Sequence, residues 1–203
     1  MREYDPWAVY YDFIHMGLPG EAEFYAGLAM RDGLDTLELG CGTGRIALPM
    51  ALGGVSVTGL DCSWNMLALC REKTRALWPF PGALRLIQAD MRRFAFNRTF
   101  PLILMPYRTF MHLLTPADQV RCLACVERHL APGGRFVFNL WAARPSALLK
   151  RGQPGGDGAF EKVGERSVEK DLRLAHYHAV RHDEHRQLLL ERHRIEERDA
   201  SGG

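Results

Sequence analysis

Short apolar runs alternate with longer amphipathic stretches along the first 141 residues of this chain. Apolar runs predict β-strands at about residues 34–39, 55–60, 84–89, 101–105 and 135–141. Helical spacing predicts helices between them, at about residues 43–52, 63–78 and 115–130. The run from Pro101 to Met105 is apolar throughout, which is typical of a strand covered on both faces. This alternation indicates a doubly wound α/β fold with a mostly parallel sheet.

The C-terminal part of the chain follows a different pattern. Residues 151–158 are rich in glycine and predict a linker, and residues 161–203 carry many charges of both signs. Two strands are predicted there, at about 167–181 and 186–198, with a turn near 182–185. Neither face of this antiparallel hairpin is wholly polar, so we expect it to pack on another surface. The predicted organisation is a core at residues 1–150 and a separate hairpin at 161–203.

Composition narrows the class of protein. The chain has 203 residues, of which 47% are hydrophobic and 25% charged, as in globular domains. A net charge of +2 argues against a general nucleic-acid binder. No apolar run approaches the roughly 18 residues of a membrane span. Five cysteines, mostly within apolar patterns, indicate reduced thiols and a cytoplasmic protein.

A glycine-rich turn follows the first predicted strand. The sequence from Leu37 to Arg45 is L-E-L-G-C-G-T-G-R, with three alternating glycines. Glycine lets the backbone bend tightly and lets a ligand approach closely. A helix beginning at about Thr43 would direct its free N–H groups toward the turn. The second predicted strand ends at Asp61, where a carboxylate can accept both hydroxyls of a ribose. Together these features predict a nucleoside-binding crevice.

The spacing of the glycines separates two kinds of nucleotide site. Dinucleotide sites carry G-x-G-x-x-G, whereas this chain has Arg45 where the third glycine of that pattern falls. The motif E-L-G-C-G-T-G-R resembles the first motif of the class I S-adenosylmethionine (SAM) methyltransferases. A nicotinamide-dependent oxidoreductase is the alternative; it shares the glycine turn and Asp61, but it gives Asp90 no role.

Further segments are similar to the same family over about residues 1–141. They are Y-D-P-W-A-V-Y-Y-D at 4–12, G-L-D-C-S-W-N-M-L at 59–67, Q-A-D-M at 88–91 and L-A-P-G-G-R-F at 130–136. The resemblance implies a strand order of 3-2-1-4-5 and an N-terminal helical lid over the cofactor. The family sheet normally ends with two more strands, so a shortened, non-catalytic relative is a further alternative.

The resemblance also implies roles for individual residues toward SAM. Asp61 is expected to hold the ribose, and Asp90 to accept a hydrogen bond from the adenine amino group. Glu38 is expected to contact the amino-acid part of the cofactor. The other residues expected to contact the cofactor are Tyr11, Gly40, Cys41, Gly42, Gly44, Arg45, Cys62, Met66, Met91 and Met105.

The end of the fourth strand is expected to carry the reaction. Residues 104–113 read L-M-P-Y-R-T-F-M-H-L, which lacks the polar residue of the N-P-P-Y motif of base-methylating members. The segment looks more like relatives that methylate sarcosine, glycine or amino sugars. We expect methyl transfer to nitrogen or oxygen of a small molecule, with His112 as the base. The candidates to face the sulfonium are Tyr10, Tyr11 and Tyr107. His112 could instead simply pack or cap the short helix after the fourth strand.

Two further groups of residues raise the question of a metal. Cys122, Cys125 and His129 lie on one predicted helix, but apolar neighbours favour buried structural thiols. The hairpin holds several histidines, for which a solvated mixed-charge surface is the favoured interpretation: His176, His178, His182, His185 and His193. We therefore expect no metal. The hairpin is expected to shape the acceptor pocket or to form a contact between two copies of the chain.

Overall fold

The computed structural model describes residues 4–31, 35–141, 159–169, 172–183, 185–186 and 188–199. The chain divides into two compact units, residues 1–141 and 142–203. The linker predicted at residues 151–158 lies outside the described residues.

A parallel sheet of five strands forms the centre of the first unit. Its strands are β1 (Thr36–Leu39), β2 (Ser56–Asp61), β3 (Ala83–Gln88), β4 (Phe100–Met105) and β5 (Leu130–Phe138). They lie in the order β3-β2-β1-β4-β5, and every neighbouring pair is parallel. The predicted doubly wound fold and its strand order are therefore confirmed. The order reverses between β1 and β4, where sheets of this kind place a ligand crevice at the carboxyl ends of the strands.

Helices connect these strands and precede them. They are α1 (Tyr11–Ile14), α2 (Glu21–Arg31), α3 (Ala47–Leu52), α4 (Trp64–Ala76) and α5 (Pro116–His129), with 3-10 helices at Asp5–Tyr10 and Thr109–His112. The hydroxyl of Ser63 accepts from the Met66 N–H at 3.1 Å and caps α4. Among the described residues, no helix has the length and apolar character needed to cross a membrane.

The three central strands of the parallel sheet, β2, β1 and β4, are largely buried on both faces. Leu102 and Leu104 of β4 pack in one apolar cluster, with residues of α2 and α3. Ile103 and Met105 of the same strand pack in a second cluster, which includes residues of α5. Successive side chains of a strand point to opposite faces, so a continuous apolar run is what this two-sided burial requires.

The glycine turn is longer than predicted, and α3 begins at Ala47 rather than at Thr43. Gly42 and Gly44 have φ angles of 53° and 86°, which are left-handed and incompatible with a right-handed helix. The predicted helix N-terminus at the turn is therefore wrong. The turn instead supplies its own backbone groups to the crevice.

The second unit is a three-stranded antiparallel sheet rather than a two-stranded hairpin. Its strands are β6 (Glu161–Glu169), β7 (Leu172–Asp183) and β8 (Leu188–Asp199), in the order β6-β7-β8. The strand predicted at 167–181 thus merges parts of two strands. Residues 161–167 of β6 are all exposed, so no apolar alternation marks this edge strand in the sequence.

Candidate functional site

The glycine turn follows β1 at the carboxyl edge of the parallel sheet. Gly40 has a φ of 73°, and a Cβ there would lie 2.4 Å from Cγ2 of Thr109. A Cβ at Gly44 would lie 2.5 Å from Sγ of Cys70. At Gly42 a Cβ would meet nothing within 4 Å, so the turn borders open space at that residue. Packing leaves no room for a side chain at Gly40 or Gly44, whereas Gly42 leaves room for a ligand.

Asp61 ends β2 beside this turn. Its Oδ2 accepts a hydrogen bond from the Gly42 N–H at 2.8 Å, and its Oδ1 accepts from the Ser63 N–H at 2.8 Å. Burial raises the pKa of Asp61, and the N–H groups of Ser63 and Gly42 act in the opposite direction. The neighbouring Cys62 is half-buried, and its carbonyl accepts from Nε2 of Gln88 at 3.2 Å. The carboxylate is therefore fixed at the mouth of the crevice.

Glu38 lies inside the sheet on β1 and is only 2% exposed. Its Oε2 is buried and has no hydrogen-bond partner among the described residues. Burial raises the pKa of Glu38 well above its ordinary value, while Arg45 acts to lower it. A buried carboxyl without a partner is costly, so this position calls for a donor or a cation.

Arg45 and Glu38 both line a narrow cleft. Its Nη1 is 2.5 Å from Oε2 of Glu21, and its guanidinium is 4.5 Å from the centre of the Tyr107 ring. The cleft is about 20 Å³ in volume, and its lining includes Tyr11, Glu38, Gly40, Cys41, Arg45 and Tyr107. Six of the predicted site residues are thus brought together. A space of this size holds about one water molecule.

Aromatic residues from the N-terminal segment meet those that follow β4. The Tyr4 hydroxyl lies 3.1 Å from Nε2 of His112, and the Tyr107 hydroxyl lies 3.5 Å from Nδ1 of His15. The rings of Tyr4 and Tyr11 are 5.8 Å apart, and those of Tyr11 and His15 are 4.8 Å apart. Both predicted catalytic residues therefore belong to one aromatic cluster.

Two acids hold the N-terminal segment against the glycine turn and α4. Oδ1 of Asp5 accepts from the Ser63 hydroxyl at 2.5 Å. Asp12 accepts from the Thr43 hydroxyl at 2.6 Å and forms an ion pair with Lys73. Neither acid was assigned a role from the sequence. Each directly follows a tyrosine, and that repeated pair is the signal that would have identified them.

The backbone after β4 adopts an uncommon conformation. Tyr107 and Arg108 have φ angles of 53° and 63°, in the left-handed region that residues other than glycine seldom occupy. The Arg108 N–H donates to Oδ1 of Asn139 at 2.7 Å, which helps to hold this turn. Such a conformation costs about 1–3 kcal/mol per residue and is concentrated at functional sites. Here it sets the position from which Tyr107 lines the cleft.

Asp90 has a partner that the sequence analysis did not foresee. Its carboxylate accepts from Nε and Nη2 of Arg92, at 3.0 Å and 2.6 Å. Nη1 of Arg92 also donates to Oδ2 of Asp118 at 3.0 Å. The hydrogen bonds from Arg92 lower the pKa of Asp90. The predicted contact with an adenine amino group stays a prediction, and it would have to share this carboxylate with Arg92.

Several other predicted site residues have buried side chains. Met91 and Met105 belong to an apolar core cluster, and Met66 is buried on α4. Cys41 packs against Gly59, where a Cβ would lie 2.9 Å from its sulfur. The expected cofactor contacts of these residues stay predictions.

The cysteine and histidine group on α5 is engaged in packing. The Phe96 N–H donates to Nε2 of His129 at 2.9 Å, so the ring proton lies on Nδ1. That nitrogen donates to the Cys125 carbonyl at 2.7 Å. Both nitrogens of His129 are therefore used within the protein, and Cys122 and Cys125 are buried. This arrangement agrees with the structural interpretation of the two thiols.

Comparison with known proteins shows that this chain is similar to methyltransferases. A family model described as a methyltransferase domain matches residues 36–134. A phosphatidylethanolamine N-methyltransferase from Cereibacter sphaeroides is 35% identical over 150 residues, which cover 73% of this chain and 70% of that protein. A dTDP-3-amino-3,6-dideoxy-alpha-D-glucopyranose N,N-dimethyltransferase from Streptomyces fradiae is 30% identical over 64% of this chain and 51% of its own length. The chain spans 40% to 51% of most of the curated relatives it matches.

Solved structures extend the likeness to the fold. The CcbJ methyltransferase from Streptomyces caelestis matches with a TM-score of 0.70 and 27% identity, over 92% of this chain and 69% of that one. The SAM-bound amino pentose methyltransferase CalS10 from Micromonospora echinaspora, involved in calicheamicin biosynthesis, matches with a TM-score of 0.54 and 25% identity. That match covers 88% of this chain and 75% of CalS10.

Proposed function

Since the chain belongs to the class I SAM-dependent methyltransferases, we propose that it transfers a methyl group from SAM to an amine nitrogen of a small molecule. The observation that carries this proposal is the meeting of an open glycine position, Gly42, with two acids, the half-buried Asp61 and the buried Glu38, at one crevice. Membership of the methyltransferase family also argues against the alternative that the chain is a nicotinamide-dependent oxidoreductase.

The residues of the crevice fit the polar parts of SAM. A carboxylate has about four acceptor sites, so Asp61 can hold ribose hydroxyls beside its two backbone partners. The unpartnered Oε2 of Glu38 suits the α-amino group of the methionine part, which is a cation. The open space at Gly42 suits close approach of the ligand to the backbone.

The residues around the transferred group would mainly bind and orient it. When bound, SAM supplies a methyl group on a positively charged sulfur that leaves readily. The rings of Tyr11 and Tyr107 line the cleft, and aromatic faces attract such a cation. Asp5 and Asp12 hold the N-terminal segment over this region, which helps to exclude water.

Nitrogen is the acceptor atom that several relatives are named for. The Cereibacter sphaeroides and Streptomyces fradiae relatives are both named as N-methyltransferases, and CalS10 is named for an amino pentose. Their acceptors otherwise differ, so the common element is the amine. An amine attacks only in its neutral form, and His112 would accept the proton, with Tyr4 orienting the imidazole at 3.1 Å.

Two measurements test this proposal. Calorimetry should detect SAM binding to the purified chain, and release of S-adenosylhomocysteine should follow addition of an accepted amine. We would screen nucleotide-linked amino sugars, amino acids and ethanolamine phospholipids, with matched hydroxyl compounds as controls. His112→Asn should lower kcat by about 100-fold or more, with SAM affinity unchanged.

The possible results separate the alternatives. No SAM binding at millimolar concentration by a folded sample would contradict the proposal. SAM binding without transfer to any amine would support the non-catalytic relative instead. Transfer to the hydroxyl compounds alone would show that oxygen is the acceptor atom.

A further inference from the structure

The three-stranded sheet carries a compact group of side chains on one face of β7 and β8. His178 on β7 pairs directly with His193 on β8. His176 and Glu191 lie two residues from these partners, so all four side chains share that face. Directly paired side chains of an antiparallel sheet have Cβ atoms about 4.5–5.5 Å apart. Regular strand geometry therefore brings three imidazoles and one carboxylate together.

Three potential metal-ligand atoms of this group converge. Nε2 of His178 lies 3.3 Å from Oε2 of Glu191, and Nε2 of His193 lies 3.8 Å from the same oxygen. The ligand atoms of His178, Glu191 and His193 all lie within 4.8 Å of one another. Zinc holds imidazole nitrogens and carboxylate oxygens at about 2.0–2.2 Å. Small side-chain rotations would bring the three atoms onto one ion.

The fourth member of the group orients one of these ligands. Nδ1 of His193 lies 2.9 Å from Nε2 of His176. If Nδ1 of His193 carries the proton and donates it to His176, its Nε2 presents a lone pair toward Glu191. Metal-binding histidines commonly donate their other N–H to a neighbouring acceptor, which fixes the tautomer. His176 is 6% exposed, so this contact lies in a protected position.

Partial burial of these histidines differs from the solvated mixed-charge surface expected from the sequence. Nε2 of His178 is buried and forms no hydrogen bond among the described residues, although Glu191 is nearby. Burial, with the neighbouring His178, lowers the pKa of His193 to about 4. Neutral imidazole is the form of histidine that binds metals. An unsatisfied buried nitrogen costs free energy, and a bound cation would remove that cost.

We propose that His178, Glu191 and His193 bind one divalent transition-metal ion, with Zn²⁺ as the reference ion, and that His176 positions His193. Two imidazoles and one carboxylate suit a borderline metal such as zinc better than Mg²⁺ or Ca²⁺. Three protein ligands leave a fourth position for water. The ion would connect β7 to β8, because each strand supplies at least one ligand. All four of these residues belong to the second compact unit.

The test is a Zn²⁺ titration of the whole chain without a polyhistidine tag. Calorimetry should show one tightly bound Zn²⁺ per chain, and thermal unfolding should move to higher temperature when Zn²⁺ is added. His178→Ala and His193→Ala should abolish both effects. His176→Ala should weaken binding by about 10–100-fold. His185→Ala is the matched control, because His185 is an exposed histidine of the same sheet's turn, and it should bind as wild type does.

Glu191→Gln and Co²⁺ spectroscopy keep the proposal testable if the histidine-to-alanine variants do not fold. Glutamine preserves the size of the side chain, so weakened Zn²⁺ binding by folded Glu191→Gln supports the site. The absorption bands of Co²⁺ bound to wild type should be those of nitrogen and oxygen ligands. Thiolate bands, absence of Zn²⁺ binding, or equal binding by wild type, His193→Ala and Glu191→Gln would overturn the proposal.

Discussion

The crevice of the parallel sheet and the histidine face of the second sheet are built in different ways. In the crevice, the backbone shapes the site. The glycines adopt left-handed φ angles, and the N–H groups of Gly42 and Ser63 donate hydrogen bonds to Asp61. On β7 and β8, regular strands merely present side chains, and the identity of His178 and His193 is decisive. A site made by backbone tolerates few substitutions in its turn. A site made by side chains keeps its fold when the ligands are replaced.

The two regions also treat buried polar groups differently. Asp61 is half-buried with two hydrogen-bond donors, whereas Glu38 is buried with one oxygen unpartnered. On the histidine face, the imidazole of His193 contacts His176, and the buried Nε2 of His178 forms no hydrogen bond. In both regions, the buried polar atoms without a partner are therefore the positions where a bound ligand would add most to stability.

The largest effect is expected from Gly40→Ala, which tests the backbone-built crevice. The left-handed φ of 73° costs about 1–3 kcal/mol for alanine. The new Cβ would also lie 2.4 Å from Cγ2 of Thr109, and overpacking of this kind costs about a further 1–3 kcal/mol. Denaturant unfolding should show a loss of stability close to the sum.

Gly42→Ala is the matched control for that prediction. Its φ of 53° imposes strain, but its Cβ would meet nothing within 4 Å, so it should lose less stability than Gly40→Ala. Adding Thr109→Ser, which removes Cγ2, should restore part of the stability of Gly40→Ala. Equal losses at both glycines would show that packing on Thr109 is unimportant.

Asp61→Ala is expected to weaken SAM binding more than any other single change of an acid. It removes charge-assisted hydrogen bonds to the ribose, each contributing about 1.5–3 kcal/mol. Asp90→Ala should cost less, because that carboxylate is already held by Arg92. Calorimetric titration of SAM into both variants and wild type makes the comparison. If Asp61→Ala binds SAM as tightly as wild type does, the cofactor lies elsewhere.

Glu38→Gln tests the unpartnered acid through its pH dependence. Burial raises the pKa of Glu38 above its ordinary 4.5, so the folded chain keeps this carboxyl protonated where the unfolded chain has lost the proton. The contribution of Glu38 to stability is therefore full below about pH 4.5 and falls as the pH rises toward the folded pKa. Over that window, wild type should lose up to about 1.4 kcal/mol per pH unit relative to Glu38→Gln.

Unfolding midpoints measured across pH check this difference, with the exposed Glu23→Gln as control. The glutamine variant should also bind SAM more weakly, by about tenfold or more, since it cannot pair with a cation as a carboxylate does. Parallel stability curves for wild type and Glu38→Gln would mean that Glu38 is ionised in the folded chain.

The smallest effect on the cofactor is expected from removing residues 161–203. The two compact units divide at residues 141 and 142, and the proposed SAM-binding residues all belong to the first. SAM affinity should therefore remain within about tenfold, or ~1.4 kcal/mol. Methyl transfer or dimerisation should be lost if this sheet shapes the acceptor pocket or joins two copies, which remains a prediction. A folded deletion variant that does not bind SAM would contradict this division.

Local sequence signals predicted much of the fold. The apolar runs located β1 to β5, because this signal depends on residues close together in the chain. The strand order came from the family resemblance, since periodicity does not specify which strands are neighbours. β6 was merged with β7, because an exposed edge strand has no apolar alternation to mark its limits.

What the sequence determined by itself was the glycine turn, the acid after β2 and the family to which they belong. Those features are recognisable because they combine specific residue types, glycines and an acid, at a fixed spacing that few other folds require. Only the tertiary structure decided that Arg92 holds Asp90, that Arg45 pairs with Glu21, and which buried atoms lack a partner. Strand register alone brought His178 and His193 together. Such contacts join residues far apart in the chain or depend on side-chain rotamers, and neither is encoded in local pattern.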